Sequence, residues 1–148
     1  MAKIPVVGKE LRNISNKMKR LVDERTANCK PASLTGMQGW IMGYIAANEG
    51  RDIFQKDVEK EFDIRRSTAS GILQLMETNG YLIRQPVLRD GRLKKLVLTA
   101  KAMEIHDRIS EQILRTENQL VWDFTEEEKA ELMRLLRKMS DNLDRNSV

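Results

Sequence analysis

Cysteine, histidine, aromatic side chains and long apolar runs are all scarce in this chain of 148 residues. One cysteine excludes an intramolecular disulfide framework and fits a reducing, cytoplasmic setting. A single cysteine and a single histidine provide no ligand-spaced cluster, so no metal site is expected. No run approaches the roughly 18 apolar residues of a membrane span, and no membrane association is expected. The opening MAKIPVVGKELRNISNKMK lacks the apolar core and cleavage site of a secretory signal. Phosphate-cradling glycine loops, nucleophile elbows and histidine-centred catalytic clusters are missing too. The expectation is a protein that is not an enzyme and needs no cofactor. With aromatics at 5%, the core must be filled by Leu, Ile, Val and the 8 methionines, whose flexible thioethers suit irregular gaps.

What is present is positive charge gathered in one place. The net charge is +4, and the sequence pI is near 9.3. From Ile64 to Lys95 the bases are Arg65, Arg66, Arg84, Arg89, Arg92, Lys94 and Lys95, against only Glu77 and Asp90. Phosphate contacts supply much of the affinity for DNA and need cations on one face. The pattern around them predicts a helix over about Arg66 to Asn79, then two strands, Leu82–Val87 and Leu93–Leu98. A tight turn at Arg89-Asp90-Gly91-Arg92 joins the strands, with Asp90-Gly91 supplying left-handed backbone. Pro86 suits an edge strand. A helix followed by a basic hairpin is the layout of a winged helix-turn-helix. The helix reads the major groove and the hairpin reaches the backbone or the minor groove.

Periodicity gives the remaining elements. Leu11, Ile14, Met18, Leu21 and Val22 form one stripe of a helix from about Gly8 to Ala27, ended at Lys30-Pro31. Thr35 and Gln38 form a capping box that opens a second helix, stopped at Asn48-Glu49-Gly50. A short helix covers about Gln55 to Phe62, with a turn at Asp63. Thr99 caps a long helix to about Val121. Thr125 and Glu128 form another capping box before the stripe Leu132, Leu135, Leu136, Met139 and Leu143. In the recognition helix Ala69, Ile72, Leu73 and Met76 face inward. Ser67, Ser70, Gly71 and Gln74 face outward, and Leu75, on a partly outer face, is expected to pack on the wing, with contact to a thymine methyl the alternative. The fold class expected is mainly α with a small β hairpin. The terminal stripes need another surface, and a homodimer would supply it while placing two recognition helices on two half-sites.

At these residues the chain resembles the MarR family of bacterial and archaeal transcriptional regulators. The resemblance rests on Leu34, Thr35 and Gln38 followed by Trp40, on RRSTASGILQLMETNGYLIR from Arg65 to Arg84, and on the Asp90-Gly91-Arg92 wing with Leu96 to Thr99 behind it. It covers nearly the whole chain. It implies a winged helix-turn-helix core over 34–99 between dimerisation helices at 1–33 and 100–148. It implies a repressor on a palindromic operator of double-stranded DNA, released by a small aromatic effector. The wing arginine of the family enters the minor groove and its aspartate orients nearby basic groups, roles that fall here to Arg92 and Asp90. Ser67, Thr68, Ser70 and Gln74 become the base-reading candidates. Arg65, Arg66, Arg84, Arg89 and Lys94 join them as further DNA contacts. Met18, Met37, Trp40, Tyr44 and His106 are the candidates for lining an effector cleft, although such a stripe is more often plain core. Cys29, at the end of the first helix, is a weak candidate for oxidant sensing. The competing class is a winged helix that docks protein and has no operator of its own.

Overall fold

The computed structural model describes residues 6–145. The elements are α1 (Val7–Thr26), α2 (Gly36–Ala47), α3 (Gln55–Glu61), α4 (Arg66–Thr78), β1 (Leu82–Val87), β2 (Asp90–Leu98), α5 (Ala100–Leu120) and α6 (Glu126–Arg145). The fold is therefore helical with one antiparallel hairpin, as the sequence pattern implies. The chain divides into two compact units, with the boundary inside α5 between Ile113 and Leu114.

In the first unit, Leu34, Ile41, Met42, Ile45, Ile53, Val58, Leu73, Met76, Tyr81, Leu82, Leu96, Ala102, Ile105 and Ile109 form one buried cluster. Burying a Leu, Ile or Met side chain contributes roughly 1.5–3 kcal/mol, so this cluster dominates the unit's stability. Helix α2 starts where its capping box sets it. Gln38 N donates to Thr35 Oγ1 at 3.3 Å, and Thr35 N donates to Gln38 Oε1 at 3.3 Å. That exchange lets the buried Gln38 side chain sit in the core with its carbonyl satisfied.

Helix α4 ends in a Schellman motif. Gly80 has φ +77°, Gly80 N donates to Glu77 O at 3.0 Å, and Tyr81 N donates to Met76 O at 2.8 Å. The first turn of α5 closes over this end. Thr99 Oγ1 donates to Gly80 O at 2.6 Å and Lys101 Nζ to Asn79 O at 2.9 Å. The Lys101 ammonium also lies 4.9 Å from the Tyr81 ring centre. Tyr81 is the largest fully buried side chain, and its hydroxyl shares a 2.8 Å hydrogen bond with Ser33 Oγ. Asp63 holds the turn after α3 with φ +48°, a conformation that Asp tolerates better than most residues.

The hairpin departs from the sequence expectation. Strand β2 begins at Asp90 and pairs with Val87, so the reversal falls on Leu88 and Arg89. Neither Asp90 nor Gly91 is left-handed, since Asp63 and Gly80 are the described residues with positive φ. Regular pairing runs from Leu82↔Leu98 to Pro86↔Lys94, and the register then shifts between Pro86 and Val87. The register of the apolar pairs thus overrides the local Asp-Gly signal. The Asp90 carboxylate instead accepts from Arg92 N at 2.9 Å and folds the strand start locally. Leu96 N also donates to Ile53 O at 2.7 Å, which anchors the wing to the α2–α3 loop.

The second unit carries the end of α5 and all of α6. Thr125 N donates to Glu128 Oε2 at 2.8 Å and Glu128 N to Thr125 Oγ1 at 3.1 Å, the expected capping box. Glu126, Glu127 and Glu128 complement the positive end of the helix dipole. No residue of α6 is buried, and Trp122 before it is 82% exposed. No helix among the described residues is long and apolar enough to cross a membrane.

Candidate nucleic-acid interface

Helix α4 is set by its inner face. Ala69, Leu73 and Met76 are buried and Ile72 is half-buried. The 3.6-residue period then leaves Arg66, Ser67, Thr68, Ser70, Gly71 and Gln74 exposed, with Arg65 exposed at the N-cap. Leu75 is 55% exposed, more than full packing on the wing would leave. It sits beside the buried stripe, with part of its side chain covered and part open to solvent. An exposed leucine beside the polar face suits contact with a thymine methyl.

Gly71 faces open space: a Cβ added there would meet nothing within 4 Å. Gly71→Ala should therefore stabilise the free protein by about 0.8–1 kcal/mol, through helix propensity alone. Chemical denaturation measures the gain, and a lower midpoint would contradict this geometry. DNA affinity of the same variant reports how close the α4 backbone comes to its target. A fall alongside raised stability marks close approach.

The wing carries Arg89, Asp90, Arg92 and Lys94, all exposed. Leu88, at the turn, is fully exposed beside them. Two basic residues are committed elsewhere. Arg84 is paired through Nε with Glu77 and donates from Nη1 to Gln55 Oε1 at 3.2 Å. Lys95 pairs with Asp52 at 3.3 Å. Arg65, Arg66, Arg89, Arg92 and Lys94 have no ion pair among the described residues. These cations flank the exposed α4 face from the helix start and from the hairpin. Arg84 is turned toward the recognition helix, with its side chain still 28% exposed.

Ser70 is tied as well: Gln55 Nε2 donates to Ser70 Oγ at 2.8 Å and to Arg66 O at 3.4 Å. Periodicity could not find Gln55, because its partners lie 11, 15 and 29 residues away in the chain.

The effector candidates are more dispersed. Met18 and Met37 are half-buried, on α1 and α2. Trp40 is 49% exposed. The Tyr44 ring meets Phe62 edge-on at 5.9 Å, and its hydroxyl accepts from Arg51 Nη2 at 3.0 Å. His106 lies against α2, with Cε1 3.8 Å from where a Gly43 Cβ would stand. A separate open cleft of about 250 Å³ runs between the end of α2, the base of the wing and α5. Ile45, Ile53, Leu96 and Met103 line it together with Arg51 and Lys95, and none of the five candidates does. Cys29 is half-buried, with Sγ 3.6 Å from Thr26 O. No group of three or more His, Cys, Asp or Glu is placed to hold a metal among the described residues.

Known proteins agree with this arrangement. The sequence profile of the MarR family matches residues 32–93, from just before α2 into the start of β2. The HTH-type transcriptional regulator PecS of Dickeya dadantii (strain 3937) is 31% identical over 83 residues, a match covering 56% of this chain and 50% of that protein. Over this match the chain spans half the length of that curated relative. The crystal structure of the transcription regulator MarR from Oenococcus oeni PSU-1 superposes with a TM-score of 0.81 at 32% identity, covering 92% of this chain and 99% of that one. The S. aureus MepR–DNA complex superposes with a TM-score of 0.83 at 25% identity, covering 93% and 96%. The match thus extends over nearly the full length of a relative that superposes on this fold, and the chain belongs to the MarR family of DNA-binding transcriptional regulators.

Proposed function

We propose that the protein is a homodimeric, sequence-specific repressor that binds a palindromic operator and is released by a small aromatic effector. The observation that carries the DNA-binding part is the exposed outer face of α4, flanked by Arg65, Arg66, Arg89, Arg92 and Lys94. MepR, a structural relative at 25% identity, has been solved in complex with DNA, which supports DNA as the partner. On this reading Ser67, Thr68, Ser70 and Gln74 meet base edges, and Arg65, Arg66, Arg89 and Lys94 meet phosphates. Arg92 enters the minor groove with its backbone set by Asp90. The dimer is supported by the apolar surface of the terminal helices. Leu11, Ile14, Leu135 and Leu143 are exposed in the single chain. The segments 1–33 and 100–148 are the dimerisation parts of this proposal, and 34–99 the DNA-binding part.

Selection of bound duplexes from a random pool tests the operator. One enriched palindrome is expected, with half-site centres about 34–36 Å apart on the duplex. Binding should fall steeply with salt. A pool in which no sequence is enriched, with binding insensitive to salt, would favour the protein-docking reading. The effector is tested by titrating aromatic acids in a calorimeter, with and without operator. A hundredfold loss of operator affinity corresponds to about 2.7 kcal/mol of coupling, and reciprocity makes operator weaken the acid by the same factor. An acid that binds equally well in both titrations is not the effector. Trp40, Tyr44, Met18, Met37 and His106 are the side chains proposed to meet it.

A further inference from the structure

Gln55, the first residue of α3, lies between the wing and the recognition helix. Its Oε1 accepts from Arg84 Nη1 at 3.2 Å. Its Nε2 donates to Ser70 Oγ at 2.8 Å and to Arg66 O at 3.4 Å. Chemistry fixes this orientation of the amide: a guanidinium can only donate, and a backbone carbonyl can only accept. Glutamine supplies both functions at one position. Glu77 takes the Nε of Arg84, so the guanidinium is neutralised and held at two points. Strand β1 is thereby linked through one side chain to the first turn of α4.

The link has a polarity. Ser70 Oγ accepts from the amide, which leaves its own O–H proton free to point away from Gln55. Ser70 is exposed, on the same outer face as Ser67 and Gln74. We propose that Gln55 is a positioning residue for DNA recognition: it sets Ser70 as a hydrogen-bond donor on the groove face of α4 and ties that face to the wing through Arg84. The inference rests on the reading of α4 as the recognition helix. A donor at Ser70 matches the major-groove acceptors, which are guanine O6 and N7, adenine N7 and thymine O4. It does not match the amino group of cytosine.

A double-mutant cycle on the duplex enriched by the wild-type protein tests the relay. Gln55→Met keeps the side-chain length, removes all three hydrogen bonds and adds no charge facing the phosphates. Ser70→Ala should weaken binding about tenfold in the wild-type background, the upper range for one hydrogen bond. In the Gln55→Met background the same change should weaken it by no more than about twofold, because the donor is no longer set. The base preference opposite Ser70 should relax in both single variants. Equal Ser70→Ala effects in the two backgrounds, with base preference kept in Gln55→Met, would overturn the proposal.

Amide exchange in the free protein gives an arm independent of any operator. Gln55→Ala should speed exchange both at Ala69 and Ser70, the first amides of α4 with a helical hydrogen bond, and at Arg84, while α2 stays unchanged and marks an intact core. Unchanged protection at both places would likewise overturn it. A wild-type protein that enriches no duplex would instead count against the reading of α4, and the exchange arm would still decide whether the relay exists.

Discussion

Arg92→Ala should weaken operator binding by roughly 1–3 kcal/mol if its guanidinium contacts a base edge in the groove. The expectation starts from local geometry. The Asp90 carboxylate accepts from Arg92 N, which fixes the backbone of the strand start. The Arg92 side chain is exposed and has no ion pair among the described residues. Its charge is therefore available to DNA without first breaking an internal contact. A loss confined to one or a few operator positions would identify base reading. A uniform loss across sequences, with a salt slope shallower by about one, would identify a phosphate contact. Unchanged affinity for the selected operator would remove Arg92 from the interface. Arg84→Ala is the informative contrast. Arg84 is paired with Glu77, so its loss acts through the helix–wing link and not through a lost phosphate contact.

A chain ending at Val121 should no longer form a stable dimer. In the single chain α6 buries none of its residues, although Leu132, Leu135, Leu136, Met139 and Leu143 recur at helical spacing. Leu132, Leu136 and Met139 are only half-buried there, and an amphipathic helix draws most of its stability from what its apolar face packs against. If the partner subunit covers that face, its removal abolishes dimerisation or leaves an aggregating chain. Sedimentation at several concentrations distinguishes these outcomes. A truncated chain that remains soluble and sediments as a dimer would refute this arrangement. The effect on DNA binding should follow, because two half-sites read by one dimer contribute as a linked pair.

Most of the architecture was legible because its signals are local. The boxes Thr35/Gln38 and Thr125/Glu128 each involve residues three apart, and both form as their spacing implies. Gly80 ends α4 because the left-handed position after a helix favours glycine. The inner stripe of α4 follows directly from helical period. Failures arose where a distant partner decided the outcome. The Asp90-Gly91 pair reads as a hairpin turn, but cross-strand pairing moved the reversal to Leu88 and Arg89. Packing on the wing would bury Leu75, yet more than half of it stays exposed. Gln55 carries no pattern at all, since its role exists only once α3, α4 and β1 are brought together. Tyr81 is similar: its burial depends on Ser33, 48 residues away, taking its hydroxyl.

The closure of α5 over the end of α4 bears on which molecule yields when the two partners fit imperfectly. Thr99 and Lys101 hold the carbonyls of Gly80 and Asn79, while Gln55 holds the opposite end of the helix. A reading head fastened at both ends has little freedom to tilt toward a poorly placed base. DNA is the softer body, and its stiffness varies with sequence: pyrimidine–purine steps kink readily and A-tracts resist. The work of fitting then falls on the duplex. Operators would be ranked partly by how easily they bend at base pairs the protein never touches, a form of discrimination written in the mechanics of the DNA and not in its hydrogen-bonding edges.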